Sequence, residues 1–262
     1  MTHRDRPEVL AVVPARGGSK GVPGKNLAEV GGAPLVVRAV RACLAAPQPT
    51  AVAVSTDDAG IVSAVLPEGA EAVERPAHLA VDTAGSEAAV LHALDVHEAR
   101  TGRTVDVVLL VQCTSPFVTP GDVAGVAGAV LGGADSALSV APFHGFVWRD
   151  EPGGARGVNH DSRHRPRRQD RPEDLLETGA AYAMRADGFR AARHRFFGRT
   201  VPVRTEAARV LEVDEPHDLA RARLLAPLLD APAHAGPEPA PAHAGAAQPP
   251  PRAAVSASDA AT

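Results

Sequence analysis

Residues Glu8 to Asn26 read EVLAVVPARGGSKGVPGKN, an apolar run that passes directly into a loop carrying Gly17, Gly18, Gly21 and Gly24. A short apolar run bounded by turn residues predicts a buried strand, and the apolar spacing of APLVVRAVRACLAA beyond the loop predicts a helix. Strand, glycine loop and helix together let backbone N–H groups come close to an anion. The loop also holds Lys20 and Lys25, the only lysines in a chain whose other 25 basic residues are arginine. Lysine offers a compact, mobile ammonium and arginine a planar fork, so the two are not interchangeable around a phosphate. Surface lysines that happen to fall in a loop are the duller explanation.

The same pattern recurs along the chain. TAVAVSTDD, DAGIVSAVL, SEAAVLHALDVHEAR, VDVVLLVQCTSP, DVAGVAGAVLGG and SALSVAPF carry strand and helix signals in turn over the first 140 residues. This predicts the α/β class, an open and mostly parallel sheet with helices on both faces. Sites in such sheets lie beyond the carboxyl ends of the strands, which aligns the Arg16 to Asn26 loop, Ser55 to Asp58, and Gln112 to Ser115 along one edge. From Gly145 to Asp174 the periodicity is lost, predicting an irregular excursion or a short hairpin arm. GAAYAMR and TVPVR read as further strands, and EPHDLARARLLAPLL as a helix that closes a single domain over residues 1–229. Beyond it, Asp230 to Thr262 repeats PAHAG and has Val255 as its one large apolar residue, so a disordered tail is expected.

Composition narrows the function classes. At 262 residues the chain is long enough for a full core, and its formal charge of −4 gives no general attraction to nucleic acid or to an anionic membrane. Two cysteines, Cys43 and Cys113, lie far apart beside apolar residues, which argues against a disulfide framework or a cysteine zinc site and for a reducing cytoplasm. The first residues lack an apolar run long enough for a secretion signal, and no later segment reads as a membrane span.

The glycine loop matches neither a Walker A sequence nor a dinucleotide fingerprint. No glycine stands five residues before Gly24, and Asn26 occupies the place of the Ser or Thr that would hold magnesium. What remains is Arg16, Ser19, Lys20, Lys25 and Asn26 on a backbone-rich loop. That set suits a triphosphate, whose charge needs several donors at once.

PARGGSKGVPGKN, followed in order by VSTDD, ERPAHLAVDTAGS, LLVQCTSPF, RRQDRPEDLLETGAAYAMR and LEVDEPHDLARAR, resembles the acylneuraminate cytidylyltransferases. That family makes CMP-sialic acids from CTP and a nine-carbon 2-keto sugar acid. The blocks run from Val9 to Leu225. The resemblance implies a nucleotide-diphospho-sugar transferase fold and a homodimer in which an arm helps close the partner's site. It assigns CTP to Arg16, Ser19, Lys20, Lys25 and Asn26, with Arg75 and Ser86 at the base or ribose. It assigns the sugar acid to Gln112, Arg168, Tyr182, Phe196 and Phe197, and magnesium to Glu212 and Asp214. Lys25, Arg16 and Asp214 carry the chemistry: the anomeric 2-hydroxyl of the sugar attacks the α-phosphorus of CTP in line and pyrophosphate leaves.

Each residue has a structural reading beside the functional one. Arg75, next to Pro76, would only cap a carbonyl; Ser86 is a helix cap whatever else it does; Gln112 at a buried strand end needs a hydrogen-bond partner in any case. One of the adjacent Phe196 and Phe197 points into the core and the other lines a pocket, and Tyr182 is a packed strand residue or a site residue. Five arginines between Arg163 and Arg171 fit a nucleic-acid backbone or, through Arg168, a sugar carboxylate. LEVD at strand-like alternation puts Glu212 and Asp214 on one side, where two carboxylates share a hard cation, while Asp214 also suits a helix cap. Three features depart from the family: Thr178 where asparagine is common, Glu212 where aspartate is common, and a short arm. The first and last lie toward the sugar and dimer side and leave Kdo, legionaminate, pseudaminate and deaminated sialic acid as alternative substrates, while the longer Glu212 makes Asp214 the better metal ligand. A nucleotide- or nucleic-acid-binding protein without turnover is the alternative from another class.

Overall fold

The computed structural model describes residues 6–230. In chain order its strands are β1 (Val9–Pro14), β2 (Glu29–Val30), β3 (Ala33–Pro34), β4 (Ala51–Thr56), β5 (Glu71–Glu74), β6 (Val107–Val111), β7 (Ser136–Phe143), β8 (Trp148–Arg149), β9 (Arg156–Gly157), β10 (Asp174–Arg185) and β11 (Thr200–Arg204). The helices are α1 (Leu35–Ala45), α2 (Ala59–Val65), α3 (Ser86–Thr101), α4 (Pro120–Leu131), α5 (Ala186–Ala192) and α6 (Pro216–Leu229). Seven strands form one sheet in the order β11-β7-β10-β6-β1-β4-β5. β1 pairs in parallel with β4 and β6, β4 with β5, and β7 with β11, while β10 runs antiparallel between β6 and β7. The expected open, mostly parallel sheet is the one observed.

Strand alternation sends side chains to both faces of this sheet. Val9, Ala11 and Val13 of β1 pack with Val36 and Val40 of α1 and Val123 and Val126 of α4. On the opposite face Leu10 and Val12 join Leu110, Val90 and Leu94 of α3, and Phe189 of α5. β6 is buried on both sides along its whole length, as its unbroken apolar run requires. A third cluster sets Leu219, Ala222 and Ala226 of α6 against Val22, Val30 and Leu35, so the last helix of the domain braces the glycine loop.

Where the sequence allowed an irregular excursion or a hairpin, a hairpin is present: β8 pairs antiparallel with β9. Its base is held by Asn159, which donates to the Gly145 carbonyl (3.0 Å) and to Asp174 (2.9 Å). There the Phe146 ring has Arg165 at 4.6 Å and Arg171 at 4.2 Å. The Leu211–Asp214 segment alternates as expected, with Leu211 and Val213 buried, but it joins no strand. Two boundaries are corrected. Asp230, grouped with the tail by composition, accepts from Arg38 at 2.6 and 2.9 Å and belongs to the folded domain. The rest of that tail, residues 231–262, lies outside the described residues. Ser86 is the first residue of α3 and not its cap; Gly85 holds the cap position and makes no side-chain bond. Among the described residues no helix is long and apolar enough to cross a membrane.

Candidate functional site at the carboxyl edge of the sheet

The three polar strand ends do meet. Beyond β1, the Ala15 N–H donates to the Ser55 carbonyl at 2.9 Å, and the Gly17 N–H donates to Asp57 at 2.9 Å beyond β4. Beyond β6, the buried Cys113 thiol donates to Asn26 Oδ1 at 3.1 Å. The segments after β1, β5 and β6 enclose a cleft of about 220 Å³ lined by Arg16, Ser19, Lys25, Asn26, Arg75 and Ser86, with Gln112 and Asp82 also on its wall; the end of β4 supports it from behind through Ser55, which holds Arg75. Six of the seven residues expected to hold the nucleotide therefore share one cavity. Lys20 is the exception: it is exposed, and Nζ reaches Asp82 at 2.6 Å.

The loop is held by side chains of its own and by the far end of the chain. Asn26 is buried; Nδ2 donates to the Arg16 carbonyl at 2.8 Å while Oδ1 accepts from Cys113. Burial pushes the Cys113 thiol up to about 11, so it stays a neutral donor. Gly21 lies so close to the Asp214 carbonyl oxygen that any Cβ there would collide with backbone, which is why this position takes glycine. Arg75 is buried at the cleft floor, where Nε donates to Ser55 Oγ (3.1 Å) and a terminal nitrogen to the Ser55 carbonyl (2.7 Å). It caps a carbonyl and lines the cleft at once. Burial draws its pKa below the usual arginine range, with the Asp57 charge opposing.

At the mouth, Lys25 Nζ donates to Asp214 Oδ1 at 2.9 Å, its side chain only 13% exposed. Glu212 and Asp214 face the same way from an extended segment. The Glu212 carboxyl rests against Gly179, whose φ of +72° lets the strand bulge there; a side chain at 179 would collide with it. Partial desolvation and then the neighbouring Asp214 raise the Glu212 pKa, while Lys25 works in the opposite direction. Two hard oxygen donors beside a phosphate-sized cleft are the donor chemistry that suits Mg²⁺, which binds through one or two carboxylates plus substrate phosphates. Among the described residues no group of three or more His, Cys, Asp or Glu could hold a metal by protein ligands alone.

The residues expected at the sugar are less gathered. Gln112 lines the cleft, with its backbone N–H on the Ala180 carbonyl at 2.9 Å. Tyr182 is buried on β10, its hydroxyl donating to Glu177 at 2.5 Å, and burial followed by the Glu177 carboxylate keeps the phenol protonated. Arg195 lies 4.5 Å above its ring and pairs with Glu87 at 2.7 Å. Phe196 and Phe197 are both half-buried and both pack on the core, with Phe196 edge-on to Tyr182 at 6.0 Å; the expected division into one core and one pocket residue is not seen. Arg168 is exposed on a short turn of the arm and is not among the residues that line the cleft. Thr178, at the departure noted above, is buried and shares a 2.6 Å hydrogen bond with Ser139.

Asp82, Glu87, Glu177 and Arg195 were not singled out from the sequence, whereas Asp57 falls within the Ser55 to Asp58 strand end expected at this edge. Asp82 could have been: it sits within ERPAHLAVDTAGS, between Arg75 and Ser86.

A family model described as Cytidylyltransferase matches residues 10–141, from β1 into β7 and through every loop that lines the cleft. The chain belongs to the cytidylyltransferase family. Within that family it is similar to N-acylneuraminate cytidylyltransferase A of Danio rerio, at 35% identity over 181 residues that make up 66% of this chain and 40% of the relative. It thus spans about two fifths of that relative's length. It is also similar to the 3-deoxy-manno-octulosonate cytidylyltransferase of Maricaulis maris, at 38% identity over 133 residues covering 51% of this chain and 48% of the other. Among solved structures, a CMP:2-keto-3-deoxy-manno-octonic acid synthetase complexed with CTP shares the fold. Its TM-score is 0.60 at 20% identity, over 83% of this chain and 98% of that one.

Proposed function

We propose that this cytidylyltransferase transfers CMP from CTP to a sialic-acid-like nine-carbon 2-keto sugar acid and releases pyrophosphate. The observation that carries the reading is the convergence of Arg16, Ser19, Lys25, Asn26, Arg75 and Ser86 on one cleft at the strand ends. The 2-hydroxyl oxygen of the sugar forms a bond to the α-phosphorus as the bond to the β-phosphate oxygen breaks, and the hydroxyl proton is lost. Arg16 and Lys25 neutralise the phosphates and hold the chain in line, which is where most of the acceleration in phosphoryl transfer arises. Magnesium bound by Glu212 and Asp214 would add positive charge at the phosphate oxygens. Gln112 lies on the sugar side of the cleft with Tyr182 and the two phenylalanines packed behind it as support, and Arg168 would supply a guanidinium for the carboxylate.

The reading includes a cytoplasmic homodimer. The arm and the start of β10 expose Val147, Trp148, Val158, Leu175 and Leu176, an apolar surface that suits a second copy of the chain. Nucleic acid is a poorer partner for the same arm, because Arg163, Arg167 and Arg171 are paired with Asp161, Asp170 and Asp174. A second substrate, 3-deoxy-manno-octulosonate, is favoured by the 38% match to the Maricaulis maris enzyme.

The test is pyrophosphate release with magnesium across nonulosonic acids and 3-deoxy-manno-octulosonate, with CTP against ATP, GTP and UTP. Release from CTP with N-acetylneuraminate or a close relative is the expected result. Turnover only with the eight-carbon acid replaces the substrate, and silence from folded protein overturns the reading.

A further inference from the structure

We infer that Asp82 is a built-in counter-anion that holds Arg16 and Lys20 in the nucleotide-free protein, yields them to the phosphate chain, and so sets the affinity of the cleft. The inference rests on the cytidylyltransferase reading of that cleft.

Asp82 comes from the segment between β5 and α3, on the wall opposite the glycine loop. One carboxylate oxygen accepts from Arg16 at 2.7 Å and the other accepts from Lys20 at 2.6 Å. Two oxygens on one anionic centre, each facing a separate cation, reproduce what a phosphate presents to the same pair. The second terminal nitrogen of Arg16 reaches the Ala80 carbonyl at 3.5 Å, so this guanidinium is turned wholly toward the Asp82 wall. Lys25 answers to Asp214 on the other side of the loop, which leaves Asp82 with only the cations at the outer mouth.

Asp82 lines the cleft together with Leu79, Val81, Ala84 and Gly85, so its two ion pairs tie one wall of the cavity to the other. The hydrogen bond from Lys20 is the largest influence holding its carboxyl below the ordinary range; burial opposes it and Arg16 adds to it, so the group is ionised at neutral pH. A phosphate brought to Arg16 and Lys20 therefore meets a fixed carboxylate already using those donors. Like charges at hydrogen-bonding separation repel, so one anion must leave, and the apparent affinity falls by the fraction of molecules still latched.

The experiment measures binding of CTP and of inorganic tripolyphosphate by calorimetry without divalent metal, for the wild type, Asp82→Asn and Asp82→Ser, with thermal melts to confirm folding. Asp82→Asn keeps the shape and removes the charge. Both variants are expected to bind both ligands about three- to tenfold tighter, the range for losing a pair of exposed ion bridges. Equal or weaker binding by the folded variants, with wild-type binding intact, overturns the counter-anion role and makes Asp82 a support for the two cations. Absence of CTP binding by all three proteins overturns the nucleotide reading itself.

Discussion

Arg16, Lys25 and Arg75 in the cleft and Arg163 and Arg167 in the arm are all engaged, but over different distances along the chain. Lys25 reaches Asp214 across 189 positions and Arg75 reaches Ser55 across 20. Arg167 pairs with an acid three residues on, and Arg163 with one two residues back. A long-range partner fixes a side chain relative to the whole fold, whereas a partner on the same turn fixes it only to that turn and contributes little in solvent. Arg168 has no ion-pair partner among the described residues and stands exposed. On the proposed reading, the phosphate side is held within one chain, and a second copy docked on the exposed arm would complete the sugar side.

The sharpest way to break this comparison is Lys25→Ala. Loss of one preorganised cation at a transferring phosphate costs on the order of 10² to 10³ in turnover, and because Lys25 braces no core residue the melting temperature is expected to stay close to wild type. Pyrophosphate release near the wild-type rate from that folded variant would remove Lys25 from the chemistry. Arg168→Ala comes next: about a tenfold rise in KM for the sugar acid with KM for CTP unchanged, the loss expected for one charged hydrogen bond. Arg167→Ala, whose side chain is tied to Asp170, serves as its control, and equal effects from the two arginines would leave the arm without a directed cation.

The smallest expected effect is on stability. Glu212 has a folded-state pKa above its unfolded value, so the folded protein holds that proton more tightly and ionised Glu212 subtracts stability as pH rises through and beyond about 4.3. Glu212→Gln is therefore expected to melt about one to three degrees higher than wild type at pH 7 and to match it near pH 3, while turnover falls. Melting curves that coincide at both pH values would mean that neither burial nor Asp214 disfavours the ionised Glu212 carboxylate.

The sheet could be read from the chain because β1, β4, β6 and β7 each carry a long apolar run that only a buried strand explains. β5 could not, since Glu71–Glu74 is an edge strand with acids at both ends. The seven-residue α5 and the β2–β3 hairpin are too short to show a period. In the site, the glycine loop announced itself by composition, and the resemblance brought Arg75, Ser86 and Gln112 with it. Its acidic partner Asp82 was hidden for a physical reason. That carboxylate acts on residues far away along the chain, and local spacing has no means of showing which distant cation a carboxylate will meet. Ser86 illustrates the opposite error: a serine opening a helix is read as a cap, yet here the chain enters through Gly85 and leaves the hydroxyl to the cleft.

The contact of Gly21 and Lys25 with Asp214 has a meaning for biosynthesis. A ribosome adding about 5–20 residues per second makes the glycine loop first and reaches Asp214, 189 positions after Lys25, roughly 10 to 40 s later. During that interval β1, the loop and α1 exist without the carboxylates or α6, whose Leu219 and Ala222 cover Val22 and Val30. A nascent chain arrested before Asp214 therefore carries most of the lining of the cleft but neither its brace nor its acids. Such a chain presents a glycine loop whose apolar underside, Val22 and Val30, is uncovered.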